Sequence, residues 1–140
     1  VNAHIPPTLL GSVPTQYRMR LTVGAHSARH IRRIVRSLLD EWELQEVCDA
    51  VELGVTELVA NVVRHVPDRR CEVVIRKQGA GVRVEVGDGF DELPFVDAGL
   101  SAEAESGRGL ALLEAVVDTW GVGPRAEGGK TVWFEVLRPG

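Results

Sequence analysis

The chain has few of the features that mark an exported, membrane-bound or nucleic-acid-binding protein. Its two cysteines, Cys48 and Cys71, form no Cys-x-x-Cys pair. Each sits in an apolar pattern, as buried free thiols do in a reducing cytoplasm. No run of about 18 apolar residues occurs, and Val1 to Pro7 has neither a charged n-region nor an apolar h-region. A membrane span and an export leader are therefore not expected, and a cytoplasmic location is. Positive charge is not in excess, since 16 Lys and Arg face 20 Asp and Glu for a net charge of -4. That balance leaves no basic footprint for nucleic acid. Internal repeats and low-complexity tracts are missing too. What remains is 140 residues, 44% of them hydrophobic, which is enough for one core and one domain over 1–140.

Hydrophobic periodicity orders the chain. After a proline-bearing lead-in over Ile5 to Pro14, Tyr17 to Val23 alternates as a half-buried strand. Ser27 is expected to cap a helix running to Trp42, with Ile31, Ile34, Val35, Leu38, Leu39 and Trp42 as its apolar stripe. Arg29, Arg32, Arg33 and Arg36 take the other side, which reads as a solvated face with intrahelical ion pairs, or alternatively as a partner surface. A second helix carries Val51, Val55, Leu58, Val59 and Val62. Cys71 to Lys77 and Val82 to Val86 form a hairpin about Gln78-Gly79-Ala80-Gly81. Phe90 to Ser106 has no clear period and contains five acidic residues, which suits a lid. Gly107 to Trp120 reads as a third helix, Gly121 to Gly129 as a turn-rich segment with room for a short strand, and Thr131 to Leu137 as a closing strand. This order is α+β, a two-layer sandwich whose mixed, mostly antiparallel sheet is covered on one face by three helices.

Polar residues stand out against this apolar frame. Glu57, Asn61, Arg64 and His65 fall at i, i+4, i+7 and i+8 of the second helix and share one face. A carboxylate and a carboxamide on a core wall are costly unless something polar meets them, although a partly exposed helix edge is an equally good reading of this stretch. Asp88 follows a hairpin strand and is flanked by Gly87 and Gly89, an arrangement that serves either as a turn or as an acceptor for a ligand amine. Ser106-Gly107-Arg108-Gly109-Leu110 opens a helix with glycines. It can expose N–H groups to an anion, or simply supply backbone freedom after a lid. Gly128-Gly129-Lys130-Thr131 mimics the end of a P-loop, but Pro124 replaces the first required Gly and a strand pattern follows where a helix is needed. Gly87-Asp88-Gly89 is no dinucleotide fingerprint, because Phe90, Asp91 and Glu92 come next.

Together, Glu57-x-x-x-Asn61 with Arg64-His65, Val84-Glu85-Val86-Gly87-Asp88, Gly107-Arg108-Gly109-Leu110 and Gly129-Lys130-Thr131-Val132-Trp133 resemble the successive boxes and final strand of the GHKL (Bergerat-fold) ATPases. Leu58-Val59-Ala60-Asn61 and Gly107-Arg108-Gly109-Leu110 are most similar to the RsbW-type anti-sigma-factor serine kinases, over roughly residues 15 to 138. The resemblance implies ATP and Mg2+ as cofactors. It assigns Glu57 as general base, Asn61 as the Mg2+ ligand and Asp88, beside Gly89, as acceptor for the adenine amino group. It further assigns Gly107, Arg108, Gly109 and Leu110 to the phosphates and Thr131 to the adenine side, with Arg64 and His65 near the same pocket but without a catalytic role. It implies a sigma factor and an anti-sigma-factor antagonist as partners, and a homodimer. Two departures stand out. Gly89-Phe90-Asp91-Glu92 replaces the family's Asp-x-Gly-x-Gly continuation, and the acidic lid has no base before Arg108, so a bound triphosphate depends heavily on Mg2+. The leading expectation is a serine/threonine protein kinase acting as an anti-sigma factor; the alternative is a non-catalytic ATP-binding or partner-sequestering module of the same fold.

Overall fold

The computed structural model describes residues 14–91 and 105–139, with only the backbone of 105–110. The elements are β1 (Gln16–Thr22), α1 (Ser27–Glu41), a 3-10 turn (Gln45–Val47) leading into α2 (Cys48–His65), β2 (Arg70–Gln78), β3 (Gly81–Asp88), α3 (Glu105–Val116), β4 (Thr119–Pro124) and β5 (Lys130–Leu137). The strands form one sheet in the order β1-β2-β3-β5-β4, and each described pair is antiparallel. The lead-in before Pro14 and most of the expected lid, residues 92–104, lie outside the described residues.

Strand parity decides what faces the helices. Along β2 and β3 the buried positions Cys71, Val73, Ile75, Val82, Val84, Val86 and Asp88 point to one side, and Val132, Phe134 and Val136 join them from β5. Against them pack Ile31, Val35 and Leu39 of α1, Val51, Val55, Leu58, Val59 and Val62 of α2, and Leu113 of α3, in one contiguous core. Helix and sheet come close enough that a Cβ on Gly54 would lie 2.5 Å from Phe134 Cζ. The hairpin of β2 and β3 turns at Gly79, whose φ of +58° suits a two-residue loop closed by Gln78 opposite Gly81.

Three expectations are corrected. Ser27 does not cap α1; His26 holds the N-cap position, and Ser27 Oγ instead accepts from the Gly24 N–H at 2.8 Å to close the turn out of β1. The third helix stops at Val116, because Thr119 and Trp120 pair with Glu135 and Phe134 of β5. Cross-strand pairing there overrides the helical spacing of Trp120. The arginines of α1 make no intrahelical pairs among the described residues. Arg36 crosses to α2, donating to both carboxylate oxygens of Glu52 at 2.9 and 3.1 Å, and Arg32 reaches Thr56 Oγ1 at 3.4 Å. Glu52 is only 9% exposed and also accepts from the Cys48 thiol at 3.3 Å, so this polar cluster fixes how α1 lies along α2. Burial, aided by the Glu52 carboxylate, pushes the Cys48 thiol up to about 11. Among the described residues no helix is long and apolar enough to cross a membrane.

Candidate functional site

The C-terminal half of α2 and one end of the sheet converge because only Val66 to Arg69 separate His65 from the start of β2. A turn at Pro67-Asp68-Arg69, with Arg69 at φ +56° and Asp68 Oδ1 accepting from the Arg70 N–H at 2.9 Å, reverses the chain. The next residues, Cys71 and Glu72, stand beside Gly87 and Asp88 of β3, and Asp88 in turn faces Lys130 of β5. Asn61 therefore lies on the stretch of helix above this sheet end, with Glu57 one turn earlier.

Asn61 is 7% exposed, and its Nδ2 is a buried polar atom with no hydrogen-bond partner among the described residues. Its Oδ1 accepts from Arg64 Nη2 at 3.4 Å, a long and weak contact. A carboxamide so placed retains capacity for a partner that the surrounding core does not supply. Glu57 is half-buried on the same face, whereas Arg64 and His65 are exposed on the last turn of α2.

Asp88 is 3% exposed and continues the apolar parity of Val82, Val84 and Val86. Its Oδ1 accepts from the Phe90 N–H and from Lys130 Nζ, each at 2.9 Å. Lys130 Nζ also donates to Phe90 O at 3.1 Å and stands 5.4 Å from the Phe90 ring centroid. The Asp88 charge reaches Cys71, whose thiol is pushed up to about 11 by burial first and by this carboxylate second. Gly129 locks the arrangement from the β4–β5 turn. It has φ +90°, a Cβ there would collide with the Asp88 carbonyl oxygen, and its N–H donates to Asp91 Oδ1 at 2.9 Å. The turn leads straight into β5, so no helix N-terminus follows the glycines.

The expected site residues are thus partly assembled. Glu57, Asn61 and Asp88 share the helix-covered side of the sheet. Gly89 is exposed, and a Cβ there would meet nothing within 4 Å, which leaves space beside Asp88. Thr131 is a correction. Its position on β5 alternates with the buried Lys130 and Val132, which puts it with Trp133 and Glu135 on the open face, away from Asp88. Gly87 likewise faces away, beneath the Arg125 guanidinium. Gly107, Arg108, Gly109 and Leu110 lie within the first turns of α3, since the helix begins at Glu105, and their side chains lie outside the described residues. Sequence reasoning missed Lys130, although a signal was present. Counting back from Val136, Phe134 and Val132, a lysine on the buried parity is anomalous and calls for an acid on the neighbouring strand.

The open face of the sheet differs in kind. Glu72 is met by Arg18 Nη1 at 3.1 Å, Arg20 Nε at 3.2 Å and Arg125 Nη2 at 3.4 Å. Arg83 pairs with Glu85 and Glu135 at 2.8 Å each, and its guanidinium lies 4.2 Å from the centroid of Trp133.

Comparison with known proteins agrees with this architecture. No curated protein is significantly similar in sequence. Among solved structures, the chain is similar to the crystal structure of the RsbU and RsbW domains of Rv1364c from Mycobacterium tuberculosis, with a TM-score of 0.60 and 22% identity, over 88% of this chain and 33% of that one. The chain therefore spans about a third of the length of that protein, and the likeness is one of fold. The sequence profile of the histidine kinase-like ATPase domain matches residues 22–136. That match covers most of the chain and includes Glu57, Asn61, Asp88 and Lys130, and with it the chain belongs to the histidine kinase-like ATPase family.

Proposed function

We propose that this chain is an ATP-dependent serine/threonine protein kinase that acts as an anti-sigma factor in bacterial partner switching. In this reading it is a single cytoplasmic domain that works as a homodimer, binds a sigma factor and phosphorylates an anti-sigma-factor antagonist on Ser or Thr. The observation that carries the reading is Asn61, a buried carboxamide without a partner for Nδ2 among the described residues, one helical turn from Glu57. The residues fit the implied cofactors. Mg2+ takes few protein ligands beside waters and phosphate oxygens, so a single carboxamide oxygen suffices, and the long Arg64 contact to Oδ1 is easily displaced. ATP, when bound with Mg2+, supplies the phosphoryl group and Mg2+ neutralises its charge.

The chain's own residues supply the rest. Glu57 takes the proton of the substrate hydroxyl as its oxygen attacks the γ-phosphorus and the bond to ADP breaks. Asn61 would hold the metal through Oδ1, Asp88 would accept from the adenine amine, and Gly107 to Leu110 would hold the phosphates. The test is calorimetric titration of ATP and ADP into wild type and Asn61→Ala, with and without Mg2+, followed by phosphotransfer to an antagonist protein with Glu57→Ala. Mg2+-dependent binding lost in Asn61→Ala, and phosphotransfer lost in Glu57→Ala with binding kept, support the kinase. Absence of binding at millimolar nucleotide sinks it. A second reading, a non-catalytic partner-sequestering module, is favoured by one feature: the carboxylate assigned to adenine is already ion-paired with Lys130. Glu57→Ala separates the two readings, since a pure binder is indifferent to that change.

A further inference from the structure

Lys130 has no role in the reaction proposed above, yet it is bonded to Asp88, the carboxylate proposed to meet the base. It is 5% exposed and sits directly across the β3–β5 ladder from Asp88. An ammonium carries three N–H donors, and two are accounted for by Asp88 Oδ1 and Phe90 O. Asp88 Oδ1 takes both the Lys130 and the Phe90 N–H donors, and none of these bonds uses Oδ2. The described bonds therefore leave one Lys130 N–H donor and the Asp88 Oδ2 acceptor, on neighbouring strands, for a ligand to meet.

We propose that Lys130 is a specificity-determining residue of the base subsite. Its remaining N–H donates to the purine ring nitrogen N1 while Asp88 Oδ2 accepts from the adjacent 6-amino group, so the ion pair reads the two groups together. The inference rests on the ATP reading above. A lone carboxylate selects only for the amine. The Lys130–Asp88 pair also requires the ring acceptor beside it, and it presents the base with a neutral rather than an anionic subsite.

The experiment is calorimetric titration of Mg-ATP and Mg-1-deaza-ATP, which lacks the N1 acceptor, into the wild type, Lys130→Met, and the double variant Lys130→Met with Asp88→Asn. The double variant keeps the site uncharged if the single variant does not fold. Wild type is expected to bind 1-deaza-ATP about tenfold to a hundredfold more weakly than ATP, and that ratio is expected to approach one in either variant. Equal affinity of the wild type for both nucleotides overturns the Lys130 contact and leaves the ATP reading standing. Tighter ATP binding by Lys130→Met than by the wild type also overturns it, since Lys130 is then a plug rather than a reader. Failure of the wild type and both variants to bind either nucleotide removes the contact and the ATP reading together.

Discussion

Open and covered faces of the same sheet carry charge in opposite ways. On the open face Arg18, Arg20 and Arg83 interleave with Glu72, Glu85 and Glu135, and most of these carboxylates have more than one donor in reach. Removing any one partner leaves others, and solvent screens what remains. On the covered face Asp88 and Lys130 continue the buried parity of Val84, Val86 and Val132, and each is the other's only ion-pair partner among the described residues. Redundant, wet charge serves solubility and strand alignment. Solitary, dry charge is costly to keep, which is why it points to a site.

The largest break in this contrast is Asp88→Ala, which strands a buried ammonium. We expect a loss of about 3–5 kcal/mol in urea unfolding, whereas Lys130→Met with Asp88→Asn, which removes both charges, is expected to recover most of it. Next comes Gly54→Ala. Helix propensity gains about 1 kcal/mol, but the new methyl meets the Phe134 ring, and overpacking at about 1–3 kcal/mol wins. An unchanged or raised Tm for Gly54→Ala means that helix and sheet are less tightly apposed than described.

Asn61→Ala is expected to change stability by about 1 kcal/mol or less, because Nδ2 forms no hydrogen bond among the described residues, while abolishing Mg2+-dependent nucleotide binding. A large stability loss without a binding defect would make Asn61 structural. Glu85→Gln on the open face is expected to cost at most about 1 kcal/mol and to vanish in high salt. The smallest effect is in pH. For Glu72, desolvation, which raises the carboxyl, is outweighed by hydrogen bonds from Arg18 and Arg20, and for Glu135 the Arg83 hydrogen bond lowers it. Both carboxyls titrate below their ordinary 4.5 in the folded state, so their contribution is full above that pH and drains away as pH falls through the lower folded values. Acid titration followed by circular dichroism at low and high salt checks it; a loss beginning well above pH 4.5 contradicts the assignment.

Much of the fold was legible in the chain. Alternation in Tyr17 to Val23, Cys71 to Lys77, Val82 to Val86 and Thr131 to Leu137 located four strands, and Gly79 located the hairpin between two of them. The fifth strand was only partly legible, because Trp120 fits a helical spacing from Leu113 as well as it fits pairing with Phe134. In the site, Glu57, Asn61 and Asp88 stood out as polar residues on apolar faces. Thr131 lies on the other face because a motif carries order but not parity, and the intrahelical pairs expected for the basic face of α1 give way to an Arg36–Glu52 pair with α2, because periodicity within one helix does not show what the next helix brings beside it.

What the sequence determined by itself is local: the period of the four alternating strands and the first two helices, and the family motifs along α2 and β3. The hydrophobic effect acts on periodicity within a few residues and needs no knowledge of partners. What only the tertiary structure decided is which solitary polar groups meet. Lys130 reaches Asp88 across 42 residues of sequence, and Arg36 reaches Glu52 across 16. Those pairings depend on strand register and helix apposition, which are set by the packing of the whole core around Gly54, Phe134 and Gly129 and by no single segment.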